Sequence, residues 1–435
     1  MKKTLYIVLS IHVFILLFQL SFRQLFLDTT FIRDIGIFIL CAIYITRDKK
    51  NTNIKDSLGG IVNIYLWYGV LMSIFHLLDG IPFLGVIADY RNHFFPFVLF
   101  FVSLYILQDI KYRKKWVDLL YWVFIIMLVD IYIEKAMDIA GISRVSLPWY
   151  QYQMAHYYRF TELETGSRML ANPETIPILG LLGWNNVTAC GLTALFSFFV
   201  PFLLQKGIHE KGMPRVARLS KIQKIVLLVA TIAALIILEI KTPFAALVVV
   251  FFIYMLQTGK RDLIRTIVPI VIIGCLVAYF TFSLWQDIFQ ELFEETTGEY
   301  GFSYIFDQNV IGALLSAAFS DSPLAFLFGT DITNNSMFDL LEVRLIVHTI
   351  QFGVLWLITY SLVYIFAFKA YNKTKKIRLQ PFDKLLAMGS MLLIVSYVVD
   401  FLHYAHVMFL FHIDIFVVTL AVLVSVRQRG VIYES

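Results

Sequence analysis

Within LLEVRLIVHTIQFG, residues 340–353, the chain places a carboxylate, a guanidinium and an imidazole close together: Glu342, Arg344 and His348. Arg344 and His348 are four residues apart and share one helical face. Glu342 points elsewhere, near a helix N-terminus that favours its negative charge. An imidazole can take the proton of an attacking hydroxyl, and a nearby cation can stabilise charge growing on a phosphate leaving group. A packing histidine at a capped helix entrance is the plainer alternative. The apolar run GVLWLITYSLVYIFAF follows, so the segment opens a membrane span with His348 about one turn inside it. Ionisable side chains at such depth usually face a bundle interior or a wet cavity.

Other stretches carry similar possibilities. ILGLLGWNNVTACG sets Gly180 and Gly183 ahead of Asn185 and Asn186, immediately before an apolar run. Asparagine is a favoured N-cap, so the pair serves either a helix start or a ligand. In ILEIKTPFAALVVVFF, Glu239 and Lys241 share a tight turn, with Pro243 in the first turn of the next helix. Lys241 either pairs with Glu239 or faces an anion. DFLHYAHVMFLFHID spaces Asp400, His403 and His406 as metal ligands can be spaced, but across a helix end and a turn, so no metal is expected. Asp118, Asp130 and His76 mark interior-facing sides of their helices.

The elements that position these groups are membrane helices. Hydrophobic residues make up 59% of the 435 residues and charged ones only 15%, against roughly 25% charged in soluble domains. The apolar blocks run about 18 to 25 residues, the length that crosses a ~30 Å hydrocarbon core. The expectation is an all-α polytopic protein of twelve spans: 4–22, 30–46, 59–78, 92–109, 116–134, 185–205, 222–240, 243–257, 263–283, 343–368, 384–402 and 408–426. The N-terminal MKKTLYIVLSIHVFILLFQLSF resembles a signal peptide but has too long an apolar run and no small-residue cleavage site, so it reads as an uncleaved first span. Cys41, Cys190 and Cys275 all fall inside spans, which argues against a disulfide framework.

Charge orients the array. With both termini cytoplasmic, the inward segments hold 27 of the 36 lysines and arginines, which follows the positive-inside tendency. The outward nine are Arg23, Arg33, Arg91, Lys135, Arg144, Arg159, Arg168, Lys241 and Arg344. Arginine suits phosphate oxygens better than lysine, so these are either ligand contacts or partners of outward carboxylates. Two outward segments are long, 135–184 and 284–342. The second opens with SLWQDIFQELFEE, an amphipathic helix for the membrane interface. The first carries PWYQYQMAHYYRF, whose Trp149, Tyr150, Tyr157 and Tyr158 either stack on sugar faces or anchor at the interface.

These pieces, in this order and on this side of the membrane, resemble the O-antigen ligase and O-antigen/capsule polymerase superfamily of bacterial envelope glycosyltransferases. The resemblance covers about 165 to 368 and rests on GLLGWNNVTACG, KTPFAALV, AFLFGTD and HTIQFGVLW. It implies a membrane transferase acting on polyprenyl-diphosphate-linked oligosaccharide, with no metal, cofactor or nucleotide sugar. It makes His348 the residue that acts on the acceptor hydroxyl, with cations holding the donor diphosphate. Lys241 stands where ligases have Ser-Arg, and His348-Thr349 where they have His-Asn. Arg344, Arg168 and Arg159 are the available replacements for the arginines that do not match. Asn185, Asn186, Glu342 and Tyr157 are candidates for shaping the glycan site.

The expected function is therefore polymerisation of lipid-linked repeat units on the outer face of a bacterial cytoplasmic membrane. Membrane lipids and a chain-length regulator are the expected partners, and nucleic acid is not. A ligase that moves glycan to a lipid or wall acceptor is the near alternative. A lipid-linked oligosaccharide flippase is the alternative of another class, although no internal repeat supports it and polar residues concentrate at the outer boundary.

Overall fold

The computed structural model describes residues 1–18, 29–46, 56–142, 178, 180–182, 185–205, 212–238, 240, 242–259, 323–330, 344–401 and 410–432, and of 29–32, 323, 344, 410 and 429–432 only the backbone. Every regular element among them is helical: α1 (Lys2–Leu17), α2 (Thr29–Ile45), α3 (Ser57–Leu78), α4 (Phe83–His93), α5 (Leu99–Leu107), α6 (Ile110–Ile139), α7 (Asn185–Leu204), α8 (Lys221–Ile237), α9 (Thr242–Thr258), α10 (Pro323–Phe328), α11 (Arg344–Phe352), α12 (Val354–Thr374), α13 (Pro381–Phe401) and α14 (Leu410–Ile432). Six of them, α3, α6, α7, α12, α13 and α14, are long and apolar enough to cross a membrane. The number becomes seven if α4 and α5, bent by 42°, form one span. The expected span 263–283 and the amphipathic helix after residue 284 lie outside the described residues.

Local chemistry sets the helix starts. Asp56 caps α3 and Asp109 caps α6, each carboxylate accepting a backbone N–H two residues on. Ser220 and Gln223 form a reciprocal capping box at α8. The sequence-expected helix 116–134 is longer at both ends, because the cap at Asp109 brings the KYRKK run inside its first turns. The expected helix 92–109 is also revised. Its apolar stretch begins at Phe83 and passes through a 3-10 turn at Phe95–Val98 where Pro96 interrupts the regular ladder. Asp118, expected to face the interior, instead accepts the Arg215 backbone N–H, while His76 and Asp130 are buried as expected.

The core is built on α7, α13 and α14, whose apolar windows are almost wholly buried. α13 packs along α7, α14 packs on α5, and α12 packs on α3. Two buried charge clamps tie α14 and its neighbours together at opposite ends. At one end Arg113 Nη2 donates to Asp383 Oδ2 at 3.0 Å, and its Nη1 donates to the Leu107 and Ser425 carbonyls. Arg427 pairs with Asp56 at the same end. Lys2 lies over the Tyr105 ring there, and Lys115 over Tyr6. The basic connectors among the described residues thus gather at one end of the bundle. At the other end His12 Nε2 donates to Asp414 Oδ2 at 2.7 Å, and Arg33 Nη2 approaches Asp414 Oδ1 at 3.5 Å.

The largest departure from the sequence expectation lies at residue 353. Instead of one helix over 343–368, α11 ends at Phe352, Gly353 takes a left-handed φ of 81°, and α12 starts afresh. The short helix α10 also ends on a left-handed glycine, Gly329, with φ 87°. The two breaks fit into each other. A Cβ on Gly353 would stand 2.2 Å from the Leu327 carbonyl oxygen, and one on Gly329 would stand 2.0 Å from that of Gln351. Backbone groups freed by the breaks find partners: Thr330 N donates to Ile350 O at 3.1 Å, and Tyr68 Oη donates to Phe352 O and Leu327 O. His76 Nε2 donates to Phe328 O at 3.0 Å.

Both glycines are therefore required for two independent reasons, conformation and contact. Gly353→Ala or Gly329→Ala is expected to lose roughly 1–3 kcal/mol from backbone strain alone, with the carbonyl clash added. Gly60→Ala is the control, since nothing lies within 4 Å of its added Cβ and the helix gains about 0.5–1 kcal/mol. Thermal unfolding in detergent, followed by fluorescence-detected size exclusion, should separate them. Equal melting of Gly353→Ala and Gly60→Ala would refute the clasp.

Candidate active site

The clasp decides where His348 stands. It is one turn before the break, on the half-buried face of α11. From His348 a stripe at four-residue spacing runs across the break: Phe352, Trp356, Tyr360 and Tyr364. The His348 ring lies parallel to Phe352 at 5.7 Å, and Trp356 lies 5.8 Å away. Trp356 stacks on Tyr360 at 5.3 Å and 8°, and its Nε1 donates to Tyr65 Oη at 3.1 Å. This packed aromatic wall leaves the imidazole few ways to turn, so its orientation is set by the bundle and not by a mobile loop.

A second imidazole meets it. The His93 ring centroid lies 5.4 Å from that of His348 at 60°, and 4.7 Å from Phe352. His93 is the last residue of α4, immediately before the bend at Pro96, and Phe94 continues the contact to Phe352 and Tyr65. Arg33, wholly buried on α2, faces Asp414 of α14 at this end. Arg91 Nε and Asp34 Oδ2 are 3.4 Å apart, and Gln351 Nε2 donates to Asp89 Oδ1 at 3.1 Å. α2, α4 and α11 thus bring two histidines, two arginines and several carboxylates to the end of the bundle opposite the basic connectors.

Of the sequence candidates, His348, Asn185 and Asn186 can be placed. Asn185 Oδ1 accepts the Asn186 N–H at 2.9 Å and Asn186 Oδ1 accepts the Val187 N–H at 2.8 Å. Each side-chain oxygen thus takes the N–H of the next residue, not the N–H two or three residues on that an N-cap takes. Val187 O then accepts from His412 Nε2 at 3.1 Å, which leaves Nδ1 to accept from Tyr397 Oη at 3.0 Å. Arg344 is the first residue of α11, and its side chain is not described. Lys241, Arg159, Arg168, Tyr157, Glu342, Glu239, His403 and His406 lie outside the described residues. Among the outward cations, Arg33, Arg91 and Lys135 each meet an aspartate, Lys135 reaching Asp138 at 2.7 Å.

Sequence reasoning missed His93 and the buried Glu134, which hydrogen-bonds Asp130 while Asp130 takes the Leu181 N–H. His93 precedes the FFPF bend, and the bend was its one available signal, since histidine next to a proline-interrupted apolar run marks the end of a helix segment. Among the described residues no group of three or more His, Cys, Asp or Glu is arranged to hold a metal. Set against known proteins, the chain matches no family model and no curated protein.

The Arg33–Asp414–His12 clamp has a measurable energetic signature. Asp414→Asn strips a buried guanidinium of its counter-charge and should cost about 3–5 kcal/mol in detergent melting. Asp138→Asn, at a partly exposed pair, should cost no more than about 1 kcal/mol. Replacing all three members, Arg33→Met, Asp414→Leu and His12→Leu, should restore most of the loss. A triple variant as unstable as Asp414→Asn would show that the clamp is not the cause.

Proposed function

We propose that the chain is a membrane glycosyltransferase that polymerises polyprenyl-diphosphate-linked repeat units, with His348 acting on the acceptor hydroxyl. The observation that carries this reading is the clasp, in which the AFLFG and HTIQFG segments interlock through Gly329 and Gly353. Two separate motifs, both among those that carry the family resemblance, are thereby one structural unit, and His348 stands one turn from it. A second support is the sorting of charge. Basic connectors gather at one end and the histidines at the other, which under the positive-inside tendency supports an outer-face position for His348, the side on which lipid-linked units are proposed to be joined.

In the proposed reaction the acceptor hydroxyl oxygen attacks the anomeric carbon of the donor and gives its proton to His348. The glycosidic bond forms as the anomeric C–O bond to phosphate breaks, and polyprenyl diphosphate leaves with the electron pair. Lys241, Arg344, Arg168 and Arg159 are the cations proposed to stabilise it. Membrane lipids surround the apolar faces, and a chain-length regulator is the expected protein partner. A bacterial cytoplasmic membrane is the proposed location.

The break at Gly353 and the 42° bend at His93 also favour a second reading, because transporters place discontinuous helices at their substrate sites. A flippase and a polymerase part company in a deletion strain. Single repeat units on the normal acceptor indicate the polymerase, polymer stranded on the carrier a ligase, and an undecorated acceptor the flippase. His348→Ala should reproduce the deletion phenotype while the protein stays in the membrane at normal level; an unchanged polymer ladder would remove His348 from the reaction. Lys241→Arg should retain more polymer than Lys241→Ala, and equal loss would argue against phosphate binding there.

A further inference from the structure

The basic end of the bundle holds a cavity that the proposed glycosyl transfer does not use. Its volume is about 490 Å³, inside the range of roughly 300–1,000 Å³ typical of ligand sites. α8 and α9 follow one another in the chain, yet α8 packs on α6 and α7, and α9 packs on α7 and α13. The cavity lies between them, over α7. Phe202 of α7 meets Phe382, beside Asp383 of the Arg113 clamp, which places this end of α7 at the basic end.

The walls are apolar and the mouth is charged. The floor runs along α7 from Leu204 to Phe196, eight residues or about 12 Å at the helical rise. Half of a ~30 Å hydrocarbon core is about 15 Å, so the floor is close to one leaflet deep. Leu228 of α8 and Phe251 of α9 form the sides, and the Phe196 and Phe251 rings meet at 6.3 Å at the deep end. At the mouth stand Lys221 and Lys224, three residues apart on one face of α8. Lys224 Nζ donates to the Phe202 and Gln205 carbonyls at 2.9 and 3.3 Å, which leaves one of its three ammonium hydrogens. Carbonyls solvate an ammonium without neutralising it, and among the described residues no acidic side chain lines the cavity. Capping of α7 accounts for Lys224. It does not account for Lys221, the first residue of α8, where the helix dipole disfavours a cation.

We infer that this cavity is a binding site for an anionic phospholipid, its phosphate between Lys221 and Lys224 and an acyl chain laid along α7. Under the positive-inside tendency the leaflet is the cytoplasmic one, and basic pockets between spans on that side hold anionic headgroups. A zwitterionic lipid carries its own cation and gains less from the two lysines, and a free phosphate gains nothing from the apolar trough. The site lies at the end of the bundle opposite His348 and does not depend on the transferase reading.

The test is native mass spectrometry of the full chain in detergent, titrated with dioleoyl phosphatidylglycerol, dioleoyl phosphatidylcholine and water-soluble glycerol phosphate. Phosphatidylglycerol should bind roughly tenfold more tightly than phosphatidylcholine, and glycerol phosphate should not bind. Lys221→Ala should weaken phosphatidylglycerol binding about fivefold, the contribution of one lysine beside an anionic headgroup, and leave phosphatidylcholine unchanged. Lys221 is exposed and its side chain takes no part in the Ser220–Gln223 capping box, so this variant is expected to fold normally and decides the matter. Lys376→Ala, at an exposed lysine in the connector between α12 and α13 at the same end, should change nothing. Leu228→Trp, which fills the trough, should weaken both lipids. Absent or equal binding of the two lipids overturns the site, as do equal losses in Lys221→Ala and Lys376→Ala, which would mean diffuse charge attraction. Glycerol phosphate binding that depends on Lys221 would make it a plain anion seat, and undiminished lipid binding by folded Leu228→Trp would put the acyl chain elsewhere.

Discussion

A helix interrupted inside an apolar bundle frees backbone groups that the surroundings cannot hydrate, and each one left unpaired costs several kcal/mol. The break at Gly353 is possible because the freed carbonyls and amides are answered one by one. Thr330 N meets Ile350 O, Tyr68 Oη meets Phe352 O, and His76 Nε2 meets Phe328 O. Two left-handed glycines let the backbones come close enough for this to happen. α3, α10, α11 and α12 are thereby locked at one point, and the imidazole of His348 is held one turn from it.

Around that point the polar interior is built in pairs. Asp414 gathers His12 and Arg33 at one end of α14, and Arg113 gathers Asp383 and the Ser425 carbonyl at the other. Buried ion pairs add little net stability compared with well-packed apolar residues. Their effect here is geometric, because each partner comes from a different helix. α1, α2 and α14 are fixed together at the histidine end of the bundle.

Much of this is legible in the sequence, and the limits are physical. Apolar run length marked most of the described helices, because hydropathy acts locally, and among the described residues six or seven of the twelve expected spans are long and apolar enough to cross a membrane. The breaks were harder. Pro96 and Gly353 are visible as letters, but glycine is common in membrane helices, and only the approach of Leu327 O decides that Gly353 must bend. His348 was legible because it shares a face with Arg344 at the mouth of a span. His93 was not, since it reaches His348 through the approach of α4 to α11, a contact across more than 250 residues of sequence. Asn185 and Asn186 carried two meanings, and their bonds to the next residue's N–H leave both open.

An imidazole held in place beside a helix break is a group that can act as the base the proposed transfer needs. The most direct measurement is reconstitution of the purified chain in liposomes containing only polyprenyl-diphosphate-linked repeat units. The transferase reading predicts a ladder of lipid-linked polymer forming with no metal, nucleotide sugar or second acceptor added. Single units that change leaflet without lengthening would contradict it and make the broken helices those of a transporter.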